Sequence, residues 1–385
     1  MNNDLRIKSI ELFKVPPRWL FLKMTTEGGL VGWGEPVIEG KADSVAAAVR
    51  ELGDQLIGHS AADIEDAFQI MYRGGFYRGG PVLTSAISGI EQAMWDIKGK
   101  YLDVPVYDLL GGKVRDTIQV YRWIGGDHPR NTAEEAKKAI AQGYSAVKMN
   151  GTDQLKWIDS YDKLDACVER VEAIRSVSPS IGIAVDFHGR VHKTMAKILM
   201  QKLEPYNLMF VEEPVLCENE EEFARFAQRS NIPIATGERN FTRWGFKNML
   251  IGGGVDIIQP DVSHCGGILE LRKIAAIAEC FDVSVAPHCP LGPIALAACL
   301  NVDFCTPNAF IQEQSANIHY NEGYDLLNYL SNPEILTYRD GNCDIWDKPG
   351  LGIEVNEEYV RKMAAEGHDW HNPIWRDDDG VIAEW

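Results

Sequence analysis

Residues 181–186 read IGIAVD, a short apolar run that ends on a carboxylate. Similar runs recur along the middle of the chain, separated by amphipathic helical stretches, as expected of a parallel sheet built from βα units. Eight are present, at 118–121, 146–148, 181–186, 208–212, 234–238, 257–261, 283–288 and 309–313. Eight units over about 200 residues match the number and size of an α/β TIM barrel of the (β/α)8 type. A doubly wound sheet is the alternative fold.

Both ends of the chain depart from this repeat. Short strands at 7–15, 19–25 and 31–34 predict an antiparallel meander, and residues 43–110 then follow helical periodicity. Beyond about residue 323 the chain becomes acidic and turn-rich. We therefore predict three parts, namely an N-terminal α+β domain at 1–117, a barrel at 118–323, and a C-terminal tail at 324–385 that packs on the first domain.

Charge and composition exclude several classes of function. The 385 residues carry 38 Lys and Arg against 56 Asp and Glu, a formal net charge of −18. A field of that sign repels the phosphates of nucleic acids and of anionic membrane surfaces. The sequence has no apolar run of the roughly 18 residues that a membrane helix needs, and its eight cysteines form no C-x-x-C pair. We expect a cytoplasmic protein with no nucleic-acid or membrane partner.

Seven of the eight runs finish on or beside a polar residue of a type used in catalysis. They are Lys148, Asp186, Glu212, Glu238, Asp261, His288 and Glu313. From Asp186 onward the spacing is 23 to 27 residues, one βα unit each. All of these side chains are therefore expected at the C-terminal mouth of the barrel, where barrel enzymes place their catalytic groups. The alternative for any single member is a solvated carboxylate at a strand end, which does not explain seven in register.

Three carboxylates at this mouth predict a metal site. Asp186, Glu212 and Glu238 end three consecutive strands, and converging negative charges repel one another unless a divalent cation holds them. Because the set offers hard oxygen ligands without cysteine or paired histidines, Mg²⁺ is favoured over Zn²⁺. The alternative is an acidic cluster on the surface. Glu213, the neighbour of Glu212, is assigned a supporting structural role.

Two of the nine histidines stand out. His288 ends a strand one βα unit after Asp261, so neighbouring strands can bring an aspartate to the imidazole and raise its basicity. His188 lies two residues beyond Asp186, as a proton donor beside the predicted metal site. Other histidines near the same rim, such as His264, have no comparable partner and are weaker candidates.

The series of polar strand ends resembles the enolase superfamily and, within it, the mandelate racemase subgroup. The segments that carry a narrower resemblance are Asp186-Phe187-His188-Gly189-Arg190, Thr236-Gly237-Glu238-Arg239, Gln259-Pro260-Asp261 and residues 287–293. The resemblance covers nearly the whole chain. It implies a modified, (β/α)7β barrel, an N-terminal capping domain that the C-terminal tail completes, and a homo-oligomer.

The resemblance also implies roles for single residues. These are one Mg²⁺ on Asp186, Glu212 and Glu238, a base dyad of His288 and Asp261, an acid at His188, a transition-state stabiliser at Glu313, and a contact to the substrate carboxylate from Lys148. Where racemases of the subgroup have a second lysine two residues after the first, this chain has Asn150, as dehydratases of the subgroup do.

The reaction implied is the dehydration of a sugar acid. The segments above are most similar to dehydratases acting on D-galactonate, which remove the C2 proton and the C3 hydroxyl to give 2-dehydro-3-deoxy-D-galactonate. Alternatives are a dehydratase of another aldonic acid, a racemase or epimerase, and a catalytically silent protein that binds a sugar acid or a metal. Substrate contacts are expected from Asn150, Arg239 and Trp19, the last within a lid at 16–19. For Trp19 the alternative is a role in domain packing.

Overall fold

The computed structural model describes residues 3–316 and 318–385. Met1 and Asn2, which the sequence assigns to the N-terminal domain, and Asn317, which it assigns to the barrel, lie outside the described residues. The boundaries at 117/118 and 323/324 stay a prediction.

An antiparallel sheet and four helices form the first part of the molecule. The strands are β1 (Ile7–Val15), β2 (Trp19–Thr26) and β3 (Val31–Gly34), and the helices are α1 (Ala42–Asp54), α2 (Ile64–Arg73), α3 (Pro81–Leu102) and α4 (Val106–Leu109). The strands pair in the order β1-β2-β3, which confirms the predicted meander. Helix α3 lies so close to β3 that a Cβ placed on Gly34 would meet the Gly89 carbonyl oxygen at 1.9 Å. Only glycine fits there.

Seven parallel strands form the barrel wall. They are β5 (Arg122–Trp123), β6 (Ala146–Asn150), β7 (Gly182–Asp186), β8 (Phe210–Glu212), β9 (Ile234–Thr236), β10 (Ile257–Ile258) and β11 (Ser284–Val285). Neighbours in sequence are neighbours in the sheet, from β5 at one edge to β11 at the other. The predicted barrel is confirmed, with its strand ends meeting at one mouth.

The first and last predicted strands differ from the prediction. The run at 118–121 is divided between two pairings: β4 (Thr117–Gln119) pairs antiparallel with a strand of the tail, and the first regular barrel strand begins only at Arg122. The run at 309–313 forms two isolated parallel bridges, Ala309 to Val285 and Gln312 to Val120. These bridges connect β11 with Val120, just before β5, and so close the barrel, with the eighth position filled without a regular strand.

Helices cover the outside of the barrel, as the alternating pattern predicts. They are α5 (Thr132–Ala141), α6 (Tyr161–Val177), α7 (His192–Leu203), α8 (Phe223–Ala227), α9 (Thr242–Gly252), α10 (Ile268–Glu279) and α11 (Pro293–Phe304). Among the helices of the described ranges, none combines the length and the apolar character that crossing a membrane requires.

The C-terminal tail contacts both preceding parts. It contains β12 (Tyr338–Arg339), β13 (Asn342–Asp344) and α12 (Glu357–Glu366). Strand β13 pairs with β4 at the edge of the barrel. Helix α12 lies against the N-terminal sheet, where Glu357 pairs with Lys23 at 2.7 Å and Arg361 pairs with Glu11 at 2.9 Å.

Two buried glutamates join the N-terminal part to the barrel. Glu35, directly after β3, accepts the backbone N–H groups of Gly292 (2.7 Å) and Ala295 (2.9 Å) at the start of α11. Glu91 on α3 accepts those of Ile268 and Leu269 at the start of α10 in the same way. Helix N-termini carry unpaired N–H groups and partial positive charge, so carboxylates from another part of the chain cap them. The two contacts hold the N-terminal part against the barrel beside its mouth.

Candidate active site at the barrel mouth

The polar residues at the strand ends meet in one network. Lys148 Nζ lies 3.1 Å from Asp186 Oδ2 and 3.4 Å from Glu313 Oε1, and it also contacts Glu212. His288 Nε2 lies 3.9 Å from the other oxygen of Glu313. The predicted convergence of these side chains is therefore present in the structure.

A cavity of about 470 Å³ opens above this network. His188, Glu238 and His288 line it, and their side chains retain 24, 13 and 13% exposure, whereas Lys148 and Asp186 are fully buried beneath. Asn150 and Arg239 line the same cavity. The histidines and Glu238 are thus the groups of the network that a small molecule would meet first.

His288 and Asp261 form a tight pair. His288 Nδ1 lies 2.7 Å from Asp261 Oδ2, and Asp261 Oδ1 accepts the N–H of Ser263 at 2.6 Å. The second ring nitrogen, Nε2, lies 3.1 Å from Glu238 Oε2. Burial disfavours a charged imidazole, but the carboxylates of Glu238, Glu313 and Asp261 outweigh it and raise the pKa of His288 well above its usual range.

His188 lies on the other side of the mouth, with an arginine behind it. Arg190 Nη2 is 2.8 Å from His188 Nδ1, and His188 Nε2 is 3.2 Å from Asp186 Oδ2. Because a guanidinium only donates, Nδ1 is the acceptor and Nε2 carries the hydrogen. Burial lowers the pKa of His188 to about 3, against the opposing charge of Asp186 and with the help of the positive charges of Arg190 and Lys148.

Glu313 is fixed by two donors. Trp123 Nε1 donates to one carboxylate oxygen at 2.6 Å, and the backbone N–H of Cys289 donates to the other at 2.8 Å. Burial raises the pKa of Glu313, but the charges of Lys148 and His288 and these hydrogen bonds bring it below its usual range. Glu313 is therefore an anion that holds Lys148 and faces His288.

The predicted metal ligands carry buried oxygens. Apart from the ion-pair contacts of Lys148 with both residues and of His188 with Asp186, neither Asp186 Oδ2 nor the two carboxylate oxygens of Glu212 accept a hydrogen bond within the described chain. Burial and, after it, the negative charge of Asp186 raise the pKa of Glu212 well above its usual range. Burial and the negative charge of Glu213 raise the pKa of Glu238 to about 8. Such oxygens are costly without a cation and suit a hard divalent ion, so the donor set fits Mg²⁺.

A second group of three residues also brings possible metal-ligand atoms close together. Among residues 3–316 and 318–385, the group with three such atoms within 4.8 Å of one another consists of Asp261, His264 and His288. In this group the Nδ1 atoms of both histidines lie near the same oxygen, Asp261 Oδ2, at 2.7 Å for His288 and 3.6 Å for His264. That arrangement suits an aspartate that accepts hydrogen bonds, and its mixed nitrogen and oxygen donors do not suit Mg²⁺.

Two predicted substrate residues have other contacts. Trp19 is fully buried, packed against Phe21 and Tyr329, and does not line the cavity, so its prediction as a substrate contact is wrong. Its neighbour Arg18 lines the cavity instead. A strand alternates its side chains between two faces, and Trp19 opens β2 with its side chain turned into the core.

Arg239 lines the cavity but is held by Glu213. Its Nε lies 2.9 Å from Glu213 Oε1, and its Nη2 donates to the His188 carbonyl at 3.1 Å. The supporting structural role predicted for Glu213 agrees with this ion pair. Asn150 Nδ2 donates to the Gly126 carbonyl at 3.2 Å, and its Oδ1 is buried without a partner in the described structure.

Sequence reasoning missed three residues of this site. Arg190, Trp123 and Arg18 all line the cavity. Arg190 stands in the segment 186–190 that carries the family resemblance, which was the one available signal. Arg18 stands in the predicted lid at 16–19, where the sequence assigned the substrate contact to Trp19 instead. Trp123 had no signal, because it belongs to a two-residue strand.

The capped barrel and the polar groups at its mouth define the class as the enolase superfamily. Residues 16–111 match the model of the mandelate racemase / muconate lactonizing enzyme N-terminal domain, and residues 131–359 match that of the enolase C-terminal domain-like family. The chain belongs to the mandelate racemase and muconate lactonizing enzyme family. The resemblance stated from the sequence is confirmed.

Similar proteins extend over the full chain. A protein of Pectobacterium atrosepticum named D-galactonate dehydratase is 54% identical over 382 residues, 99% of this chain and 100% of its own. A protein of the same name from Xanthomonas campestris pv. campestris has the same identity and coverage. Among solved structures, a putative galactarate dehydratase from Agrobacterium radiobacter, bound to Na and L-malate, has a TM-score of 0.89 at 28% identity, covering 99% of this chain and 100% of that one.

Proposed function

We propose that this chain dehydrates D-galactonate to 2-dehydro-3-deoxy-D-galactonate. Relatives 54% identical over their full length carry the name of that activity. The observation that carries the proposal is the pair of histidines on one cavity: His188 follows β7 and His288 follows β11, four strands away, so they face each other across the mouth. Removing a proton and a hydroxyl from adjacent carbons requires a base and an acid at two places around one substrate.

His288 is the base in this proposal. Asp261 holds its Nδ1, so Nε2 is the nitrogen directed to the cavity and to the C2 proton. A proton next to a carboxylate is weakly acidic because its removal adds a second negative charge to the substrate. Lys148 lies beside Glu313 below the cavity, where the positive charge of its buried ammonium can offset that negative charge.

Asp186, Glu212 and Glu238 are the residues that would hold Mg²⁺. The buried oxygens of Asp186 and Glu212 support this assignment, as does membership of a superfamily whose enzymes use Mg²⁺. When bound, the ion supplies Lewis-acid stabilisation of the negative charge that develops on the substrate carboxylate.

His188 is the acid that completes the elimination. The electron pair of the C2–H bond forms the C2–C3 double bond and the C3–O bond breaks. The leaving hydroxide becomes water by taking a proton from the protonated imidazole of His188, which returns to its neutral form. Negative charge that builds up on the substrate favours the protonated imidazole beside it, opposing the influence of Arg190. The enol product then tautomerises to the 2-keto acid.

Asn150 and Arg239 are proposed to contact the hydroxyls of the substrate from the cavity wall. A homo-oligomer and a cytoplasmic location remain predictions.

The proposal is tested with a panel of aldonic acids. Purified protein with Mg²⁺ is incubated with D-galactonate, other six-carbon aldonates and a five-carbon acid, and 2-keto acid formation is measured. We expect the highest kcat/KM for D-galactonate. A clear preference for another acid would leave the reaction in place and overturn the substrate, whereas no product from any acid would overturn the enzymatic proposal.

A further inference from the structure

The C-terminal tail forms a short hairpin at the barrel mouth. We call residues 375–383 the tail hairpin, in which the N–H of Ala383 bonds to the carbonyl of Trp375 at 3.1 Å. Lys156, in the loop after β6, anchors its turn by an ion pair with Asp379 at 3.2 Å. The hairpin is therefore tied to the barrel loops rather than to the N-terminal sheet.

Trp375 of this hairpin packs on Arg190. The guanidinium carbon of Arg190 lies 4.9 Å from the centroid of the indole ring, within the range of a cation–π contact. Arg190 is only 1% exposed, and its Nε and Nη1 have no hydrogen-bond partner in the described parts of the chain. The carboxylates of Asp186 and Asp127 also favour this buried charge, and the indole covers the face of the guanidinium.

Arg190 in turn sets the orientation of His188. Its Nη2 lies 2.8 Å from Nδ1 of that ring. A histidine held at Nδ1 presents Nε2, and here Nε2 faces the cavity and Asp186. A displaced guanidinium would remove the partner that fixes Nδ1, leaving Asp186 and the stacked Trp123 indole to align the ring.

We propose that Trp375 is a positioning residue for His188 and that it acts through Arg190. The proposal rests on the proposed function, in which His188 protonates the leaving hydroxyl. The His288 and Asp261 pair lies four strands away around the barrel and is held by its own hydrogen bond. Loss of the Trp375 contact therefore impairs departure of the C3 hydroxyl and spares removal of the C2 proton.

The kinetic test separates those two halves. D-Galactonate is incubated with Mg²⁺ in D₂O, and NMR follows both deuterium incorporation at C2 and 2-keto acid formation. In Trp375→Ala we expect dehydration to fall about 3- to 30-fold, as for loss of one buried cation–π contact, while cleavage of the C2–H bond continues and exchange rises relative to product. Trp375→Phe keeps an aromatic face and should recover most of the dehydration. Trp244→Ala, which removes a tryptophan stacked on Tyr72 at 5.2 Å, is the matched control and should behave as wild type.

A second readout does not depend on activity. In protein labelled with ¹⁵N-histidine, the Nδ1 resonance of His188, assigned by its loss in His188→Asn, reports the hydrogen bond from Arg190. We expect it to shift in Trp375→Ala and to stay in place in Trp244→Ala. An unchanged resonance, or exchange and dehydration falling in parallel, would overturn the proposal. If the wild type forms no 2-keto acid, the proposed function fails, and the resonance alone then decides whether Trp375 holds His188.

Discussion

Nδ1 of His288 lies 2.7 Å from Oδ2 of Asp261, and this contact leaves Nε2 as the ring nitrogen available to the cavity. Asp261 is itself held by the N–H of Ser263. A carboxylate in this position selects one tautomer of a histidine and stabilises its protonated form. Of His188 and His288, this relationship makes His288 the better base, since His188 has a guanidinium in the equivalent place.

Asp261→Asn should impair proton removal itself. The amide keeps the shape of the side chain but no longer stabilises a protonated His288, so we expect dehydration and C2 exchange to fall together by about 10²- to 10⁴-fold. Both are measured on D-galactonate in D₂O. Asp256→Asn is the control, because Asp256 accepts the N–H of Ile234 at 2.8 Å at the start of β9, away from the mouth. Wild-type exchange in Asp261→Asn would rule out the dyad.

Activity should depend on a divalent cation held by the strand-end carboxylates. Dehydration is expected to stop in excess chelator, to return with added Mg²⁺, and to be lost in Glu238→Gln, because a hard cation is bound mainly by anionic oxygens. Steady-state rates across a Mg²⁺ titration provide the measurement. Glu134→Gln removes an exposed carboxylate that pairs with Lys137 and should have no effect. Full turnover in chelator would contradict the metal assignment.

The pH dependence of stability should include a contribution from Glu35. Burial raises the pKa of this carboxyl from 4.5 to about 8 in the folded chain. Below about pH 4.5 both states hold the proton and its contribution is fully present. Between 4.5 and 8 only the native state does, so the free energy of unfolding falls as the pH rises and the contribution is lost above about pH 8.

Glu35→Gln isolates that contribution. The amide cannot ionise, so urea unfolding at several values between pH 5 and pH 8.5 should show a shallower decline than in the wild type. The variant should also be less stable at low pH by about 1 kcal/mol, since an amide replaces one of the two accepting oxygens. Identical slopes in the two proteins would mean that Glu35 does not titrate in this range.

The arrangement of the mouth could be predicted because it depends on little more than the order of the strands. Parallel strands end at a common edge, so residues such as Asp186 and Glu212, one βα unit apart, had to become neighbours. The run at 118–121 shows the limit of that reasoning. Its composition marks a strand, but its partner, β13, is more than 200 residues away in the chain. Local pattern carries no information about such a pairing.

Side-chain direction in the connecting segments was the other limit. Trp19 and Arg18 are adjacent in sequence, yet one lies in the core and the other on the cavity wall. Likewise, the contact of Trp375 with Arg190 joins the tail to a barrel loop. Tertiary packing determines these side-chain directions and this contact, and the periodicity of the sequence does not predict them.

The most direct measurement of the central claim compares the two histidines in D₂O. His188→Asn and His288→Asn are each incubated with D-galactonate and Mg²⁺, and NMR follows deuterium at C2 and the 2-keto acid. His188→Asn should incorporate deuterium and form product about 10²- to 10⁴-fold more slowly, because it retains the base and lacks the acid. His288→Asn should do neither. Normal dehydration by His188→Asn, or exchange without elimination by His288→Asn, would contradict the assignment of base and acid.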